Sequence, residues 1–451
     1  DTFDELKKNA RNGYFEKLIK EYLLDNNHKS IISLVPEYGL EKEKEQKEAD
    51  KLAEYKSTLT NDELEELVKK TKELKEYQDT PSSQEDLEKI PMLELSDIKR
   101  EPAKDYNDVK SVDGIKIVHH NIFTNKIAYI NMSFDTKCVP DELIPYMGLL
   151  GSTLSLMDTK NYTYPELTNE ININCGGLAT GTALYSDKVD FSKNTIVYEV
   201  KSKALYEKVP FVLGMMEEIM YNTRFDDYKR LKEIIARIKS RLEASLMGQG
   251  HSIAMLECCA QFSESAYYSD ILRGYKYYEF IKKLDEEFEQ NKTQIVDKLN
   301  KLVGYIFNKD NVIVSLTADD EGYDCFVKAL SAKSCNIKDE HYNTAVRSFI
   351  PVNVKTGYTS ASQVQYVARC GNFVKDGYKY TGALKVLKVI FSYDYLWINV
   401  RVKGGAYGCM SGSSRNGDFY MVSYRDPNLE KTNDIYEGAA DYIRNFNVSR
   451  R

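Results

Sequence analysis

The chain of 451 residues carries 42% hydrophobic and 29% charged side chains, a balance that builds cores and argues against disorder throughout. A formal net charge of -7 argues against a nucleic-acid binder, and no stretch reaches the roughly 20 apolar residues that a membrane-crossing helix needs. Eight scattered cysteines without any C-x-x-C pair exclude zinc-ribbon and thioredoxin spacings and predict reduced thiols in a cytoplasmic setting.

The length predicts two or more domains. Residues 1–90 are dense in Lys, Glu and Leu and almost free of Gly. Thr2-Phe3-Asp4-Glu5 and Thr60-Asn61-Asp62-Glu63 both fit a capping box, in which hydroxyl and carboxylate satisfy open backbone donors at a helix start. Leu64, Leu67 and Leu74 follow at helical or near-helical spacing. Between the helices, Ile31-Ile32-Ser33-Leu34-Val35-Pro36 reads as a short strand closed by proline. This segment is a helical arm, read alternatively as a solvated coiled coil, and Thr80-Pro81-Ser82-Ser83 with Pro91 and Pro102 reads as its exit linker.

From about residue 112 the texture changes. Residues 115–118 and 127–134 have strand composition, with a turn at 121–125. A helix is predicted over 142–157, strands over 181–184 and 195–200, and long helices over 203–221, 227–247 and 277–307. Near Asn311 the pattern restarts: strands over 312–316 and 364–368, a helix over 382–400, then strands near Tyr407 and over 419–423. Two blocks of strands and helices predict two related α+β domains, at 91–308 and 309–451 behind the arm of 1–90. The second is roughly 70 residues shorter, which predicts that it stops short of a full repeat.

The five histidines, His28, His119, His120, His251 and His341, form neither H-E-x-x-H nor H-x-x-E-H, so no zinc helix is expected. His119 and His120 are consecutive on a strand and point to opposite faces. Neither a G-x-S-x-G elbow nor a phosphate-binding P-loop occurs. One run stands out: Arg401-Val402-Lys403-Gly404-Gly405-Ala406-Tyr407-Gly408, just after Trp397, the only tryptophan. Glycines let backbone approach a ligand, while Arg and Tyr offer a permanent charge and a hydroxyl donor suited to a developing oxyanion. The same run also reads as a glycine helix stop followed by a strand.

That run, with Ser423-Tyr424-Arg425-Asp426-Pro427 downstream, resembles the fourth domain of a group of zinc metallopeptidases, the presequence-protease and falcilysin branch of the pitrilysin/insulinase clan. Tyr22-Leu23-Leu24-Asp25-Asn26-Asn27-His28-Lys29, Val35-Pro36, and Gln78 through Pro91 are similar to the interdomain helical hairpin of that branch. The resemblance implies two insulinase-like (LuxS/metallohydrolase-like) domains of antiparallel sheet plus helices, following the hairpin. It implies that this chain is a carboxy-terminal half with no metal ligands of its own. The complete zinc endopeptidase would hold zinc in an H-x-x-E-H motif of its amino-terminal half and close around unfolded peptides. Arg401 and Tyr407 match in type and spacing the pair that lies beside the scissile carbonyl, with Gly404 and Gly405 between them as substrate-binding backbone. The apolar helix over 142–157 would be the degenerate counterpart of the zinc helix. A naturally separate, non-catalytic peptide-binding subunit that pairs with a zinc-bearing half remains the alternative, and a coiled-coil interaction protein a third. Asp1 followed at once by a charged amphipathic segment is not a signal peptide, and the bacterial cytoplasm is the expected location.

Overall fold

The computed structural model describes residues 2–80, 82–101, 104–333, 336–360 and 362–447. The chain divides into two compact units, Asp1–Pro102 and Ala103–Arg451.

The first unit is helical: α1 (Thr2–Ala10), α2 (Tyr14–Leu18) with a π-helical continuation (Ile19–Leu24), α3 (Leu40–Thr58), α4 (Asn61–Asp79) and α5 (Gln84–Glu88). The capping box expected at Thr60 is present. The Glu63 carboxylate accepts from the Thr60 N–H at 2.8 Å, and the Glu63 N–H donates to the Thr60 hydroxyl at 3.3 Å. Thr2 is already helical, and Asp1, Pro81 and Pro102, on which the other arm readings lean, lie outside the described residues. The strand expected at 31–36 does not form. Residues 26–37 have no regular structure, and Ile31 and Leu34 are 94% and 96% exposed. Among the described residues of its unit there is no strand for this segment to pair with, so it gains no ladder hydrogen bonds.

The second unit opens with strands β1 (Asp108–Val112), β2 (Ile115–Asn121) and β3 (Ile127–Asp135). Asp113 and Gly114, at φ 49° and 80°, make the tight β1–β2 hairpin turn that Asp-Gly favours. A 3₁₀ turn (Asp141–Leu143) leads into α6 (Ile144–Thr153), then come α7 (Tyr164–Asn174), β4 (Leu178–Ser186) and β5 (Asn194–Leu205). Helices α8 (Val209–Tyr221), α9 (Tyr228–Gly248), α10 (Gly250–Ala260), α11 (Glu264–Arg273), α12 (Tyr275–Glu286) and α13 (Phe288–Ile306) follow, then β6 (Val312–Ala318) and α14 (Asp320–Ser331). The helix expected over 203–221 starts later because β5 runs through Leu205 to complete its ladder with Ile127. The single helix expected over 277–307 breaks at Glu287 into α12 and α13.

Six strands form one sheet in the order β1-β2-β6-β3-β5-β4, antiparallel except for the β2–β6 pair. Alternate residues of β3, among them Ile130, Met132 and Phe134, are buried in the same core as Met147, Leu149 and Leu150 of α6, which are fully enclosed. This is the apolar helix expected to be degenerate, and its inward face is filled by side chains that offer no metal ligand. The boundary expected between 308 and 309 does not divide the sheet. Strand β6 lies between β2 and β3, with Val314 opposite both Ile117 and Met132. Its alternating apolar residues look like a new beginning in sequence, but they are buried between two of the preceding strands.

Past residues 339–360, which have no regular structure, a smaller sheet forms from β7 (Ala368–Asn372), β8 (Gly408–Ser413) and β9 (Asp418–Tyr424), in the order β7-β9-β8. The strand expected at 364–368 is displaced: pairing with β9 begins at Ala368, while Gln365 makes an isolated bridge to Asp426. Helix α15 (Ala383–Ile390) runs directly into a π-helical segment, Phe391–Val402, and α16 (Glu430–Arg444) follows β9. Tyr395, Leu396, Val400, Ala406, Cys409, Met421 and Tyr436 form the core between these helices and the sheet. The α+β class read from the sequence is the observed one.

Candidate functional site

The π-helical segment ends at the glycine-rich run. The Lys403 N–H donates to the Ile398 carbonyl at 2.9 Å, an i→i−5 bond of the kind that concentrates at functional sites. The chain then turns out of the helix: Gly405 N–H donates to the Arg401 carbonyl at 2.9 Å and Ala406 N–H to the Val400 carbonyl at 3.1 Å. Two glycines make this exit possible. A Cβ on Gly404 would sit 2.4 Å from the Val400 oxygen, and Gly405 holds φ at +82°, in the left-handed region that glycine enters without cost.

Arg401, Val402, Gly405, Ala406 and Tyr407, with Trp397, Val364 and Arg425, line an open pocket of about 610 Å³. The Arg401 guanidinium packs on the Trp397 ring, 3.8 Å from its centroid. Tyr407 leaves the turn just before β8, and its N–H donates to the Arg425 carbonyl at 3.2 Å. Its ring meets Tyr424 edge to face at 5.8 Å and remains 68% exposed. Arg401, Gly405 and Tyr407 are therefore brought together as the sequence reading required. Gly404 is not part of the lining; its carbonyl accepts from Asn428 Nδ2 at 2.6 Å, so its role is to let the turn pass close to the π-helical backbone.

The lining contains no His, Cys, Asp or Glu, so these residues do not fit a metal, and what they offer is positive charge and hydroxyl donation. Behind the pocket, burial pushes the Cys409 thiol up to about 11 despite the nearby Arg401 charge. Asp426 is fully buried, its carboxylate accepting from the Thr432 hydroxyl at 2.7 Å and the Asn428 N–H at 2.9 Å.

His119, His120 and His341 are engaged elsewhere. His119 is buried, its Nε2 2.9 Å from the Ala318 carbonyl. His120, on the opposite face of β2, has Nε2 3.0 Å from Ser315 Oγ. Asp310, Asp339 and His341 bring their ligand atoms within 4.8 Å of one another, the one such group among the described residues, and all three are exposed. His341 is bonded there to Asp310. Sequence reasoning missed the aromatic wall beside the pocket, where His251 sits 4.8 Å from the Tyr424 ring and Tyr366 5.7 Å from it. It also left Trp397 without a role, although its i, i+4 spacing to Arg401 was readable. No helix among the described residues is long and apolar enough to cross a membrane.

Comparison with known proteins matches residues 34–284 to the family described as associated with peptidase M16, subfamily C, and residues 357–449 to the "PreP C-terminal domain". The chain is 38% identical over 455 residues to Protein HypA of Clostridium perfringens, a match covering 100% of this chain and 46% of that protein. It is 30% identical over 441 residues to presequence protease 1, chloroplastic/mitochondrial, of Arabidopsis thaliana, covering 97% of this chain and 40% of the relative. The chain thus spans about half the length of these curated relatives. Its fold is similar to the crystal structure of a peptidase M16 inactive domain from Pseudomonas fluorescens, with a TM-score of 0.50 and 16% identity over 76% of this chain and 80% of that one. The chain belongs to subfamily C of the peptidase M16 family and corresponds to its carboxy-terminal half.

Proposed function

We propose that this chain is the substrate-binding half of a zinc-dependent endopeptidase that degrades unfolded peptides in a closed chamber, with Arg401 and Tyr407 stabilising the tetrahedral oxyanion. The observation that carries the reading is the convergence of Arg401, Tyr407 and the glycine turn on one open pocket whose lining has no His, Cys, Asp or Glu, immediately before the edge strand β8. A fixed guanidinium and a hydroxyl at one carbonyl stabilise charge that develops only in the transition state. An extended peptide laid along the β8 edge would be held by backbone bonds, which tolerate many sequences. The zinc belongs in this reading to the amino-terminal half that the longer relatives contain. The bacterial cytoplasm is the proposed setting, in keeping with the seven free thiols among the described residues.

Steady-state kinetics of Arg401→Ala and Tyr407→Phe in the complete protein test this. Each should lower kcat by a factor of about 10² to 10³, leave KM less affected and leave thermal unfolding unchanged. Near-normal kcat in stably folded Tyr407→Phe refutes the assigned role, and a rise in KM alone reduces it to uniform peptide binding.

A further inference from the structure

The pocket holds a second guanidinium that the proposed oxyanion role does not use. Arg425 lines it together with Arg401. Among the described residues neither guanidinium has a carboxylate partner. The acid next in sequence to Arg425, Asp426, is buried and fully engaged with Thr432 and Asn428. Two unneutralised guanidinium groups that line one pocket make it electropositive, and an anion entering it is attracted to both. Aromatic faces hold both in place: Trp397 under Arg401, and Tyr424 under Arg425 at 5.6 Å.

The backbone adds an independent sign. Arg425 holds φ at +48°, a left-handed conformation costly for a long side chain and found where surrounding structure imposes it. Here the Arg425 carbonyl receives the Tyr407 N–H, and residues 426–428 are fixed by the Asp426 carboxylate. The strained residue is thereby tied directly to the tyrosine of the site.

We propose that Arg425 is a specificity-determining residue that, with Arg401, makes the pocket a receptor for a peptide carboxylate. Planar guanidinium groups match a carboxylate in charge and geometry, which a single lysine would not do as well. The carboxylate is an Asp or Glu side chain near the cleaved bond or the peptide's own carboxy terminus. The inference rests on the peptide-binding reading above.

Trp397 is the only tryptophan of the chain and lines the pocket, so its fluorescence reports binding locally. The chain is titrated with an unstructured peptide of about 15 residues, short enough to stay unfolded, in four versions: one central Glu or Gln, each with a free or amidated carboxy terminus. The Glu peptide should bind on the order of tenfold more tightly than the Gln peptide if the side chain is read. The free-terminus peptide should do so over the amidated one if the terminus is read. Salt at about 0.5 M should erase the preference. Arg425→Asn, which tolerates the left-handed backbone, should abolish the preference while the neutral amidated peptide binds as before, and Arg425→Lys should retain part of it. Equal affinity for all four peptides, or a preference that survives Arg425→Asn, overturns the role of Arg425 alone. Failure of every peptide to bind or move the Trp397 signal overturns the peptide-binding reading with it.

Discussion

The guanidinium of Arg401 stacks 3.8 Å from the ring centroid of Trp397, four residues earlier on the same π-helical segment. This contact braces the guanidinium of a residue that lines the same pocket as Tyr407. Trp397 is 38% exposed, so the stacking is worth about 0.5 to 1 kcal/mol.

Trp397→Leu in the complete protein should therefore lower kcat about three- to fivefold by loosening Arg401, with KM less affected, and Trp397→Phe should restore most of the loss. A merely structural role would lower the melting temperature together with activity in both variants. Steady-state kinetics beside thermal unfolding separate the two.

Gly404→Ala should destabilise the smaller sheet region by about 1 to 3 kcal/mol, because its Cβ would lie 2.4 Å from the Val400 oxygen and 2.9 Å from that of Asn399. Gly405→Ala, with open space apart from Pro427 at 3.5 Å but φ at +82°, should cost about 1 kcal/mol. Urea denaturation of the two variants, with the larger shift in midpoint for Gly404→Ala, checks the assignment of close approach to one and backbone strain to the other.

Glu218 supplies a pH test of the larger domain. Burial alone would raise its carboxyl, but hydrogen bonds from Thr159, Asn222 and Asn161 outweigh it and hold the group below the usual carboxylate range. A depressed folded pKa gives stability that is present above the unfolded value near 4.3 and is lost as pH falls through the folded one. Glu218→Gln should cost about 1 to 3 kcal/mol at pH 7, and the two proteins should converge in stability as the pH falls below about 4. Denaturant unfolding at both pH values measures this.

The purified chain should carry no stoichiometric zinc and hydrolyse no peptide, since its candidate pocket has no metal ligand. A divalent ion held at exposed Asp310, Asp339 and His341 should leave on brief chelation. Elemental analysis before and after chelation, with one tightly retained zinc as the contrary result, decides it.

What could be read in advance follows physical range. The Thr60 capping box, the alternation in β3 and the spacing of Arg401 and Tyr407 are local, and they stand where the sequence places them. Long-range pairings could not be read. Nothing within Val312–Ala318 says that it will insert between β2 and β3, because the partner edge lies almost 200 residues earlier. Arg425 was seen as part of a motif but not as a pocket wall, since its placement depends on the register of β8 with β9. Ile31 and Leu34 have strand composition, yet propensity builds no strand without a neighbour to pair with.

The position of β6 also governs how the chain can be made. His120 and Ser315, which meet across β2 and β6, are 195 residues apart. At ribosomal speeds of about 5 to 20 residues per second, β2 and β3 wait about 10 to 40 s for the strand that fills the gap between them. During that interval two apolar strand edges emerge with their hydrogen-bonding groups unmet, the state in which nascent sheets recruit foreign strands. Release from the ribosome without a chaperone should therefore be most hazardous for products stopped before Val312, and nearly harmless to this sheet once Ala318 has cleared the exit tunnel.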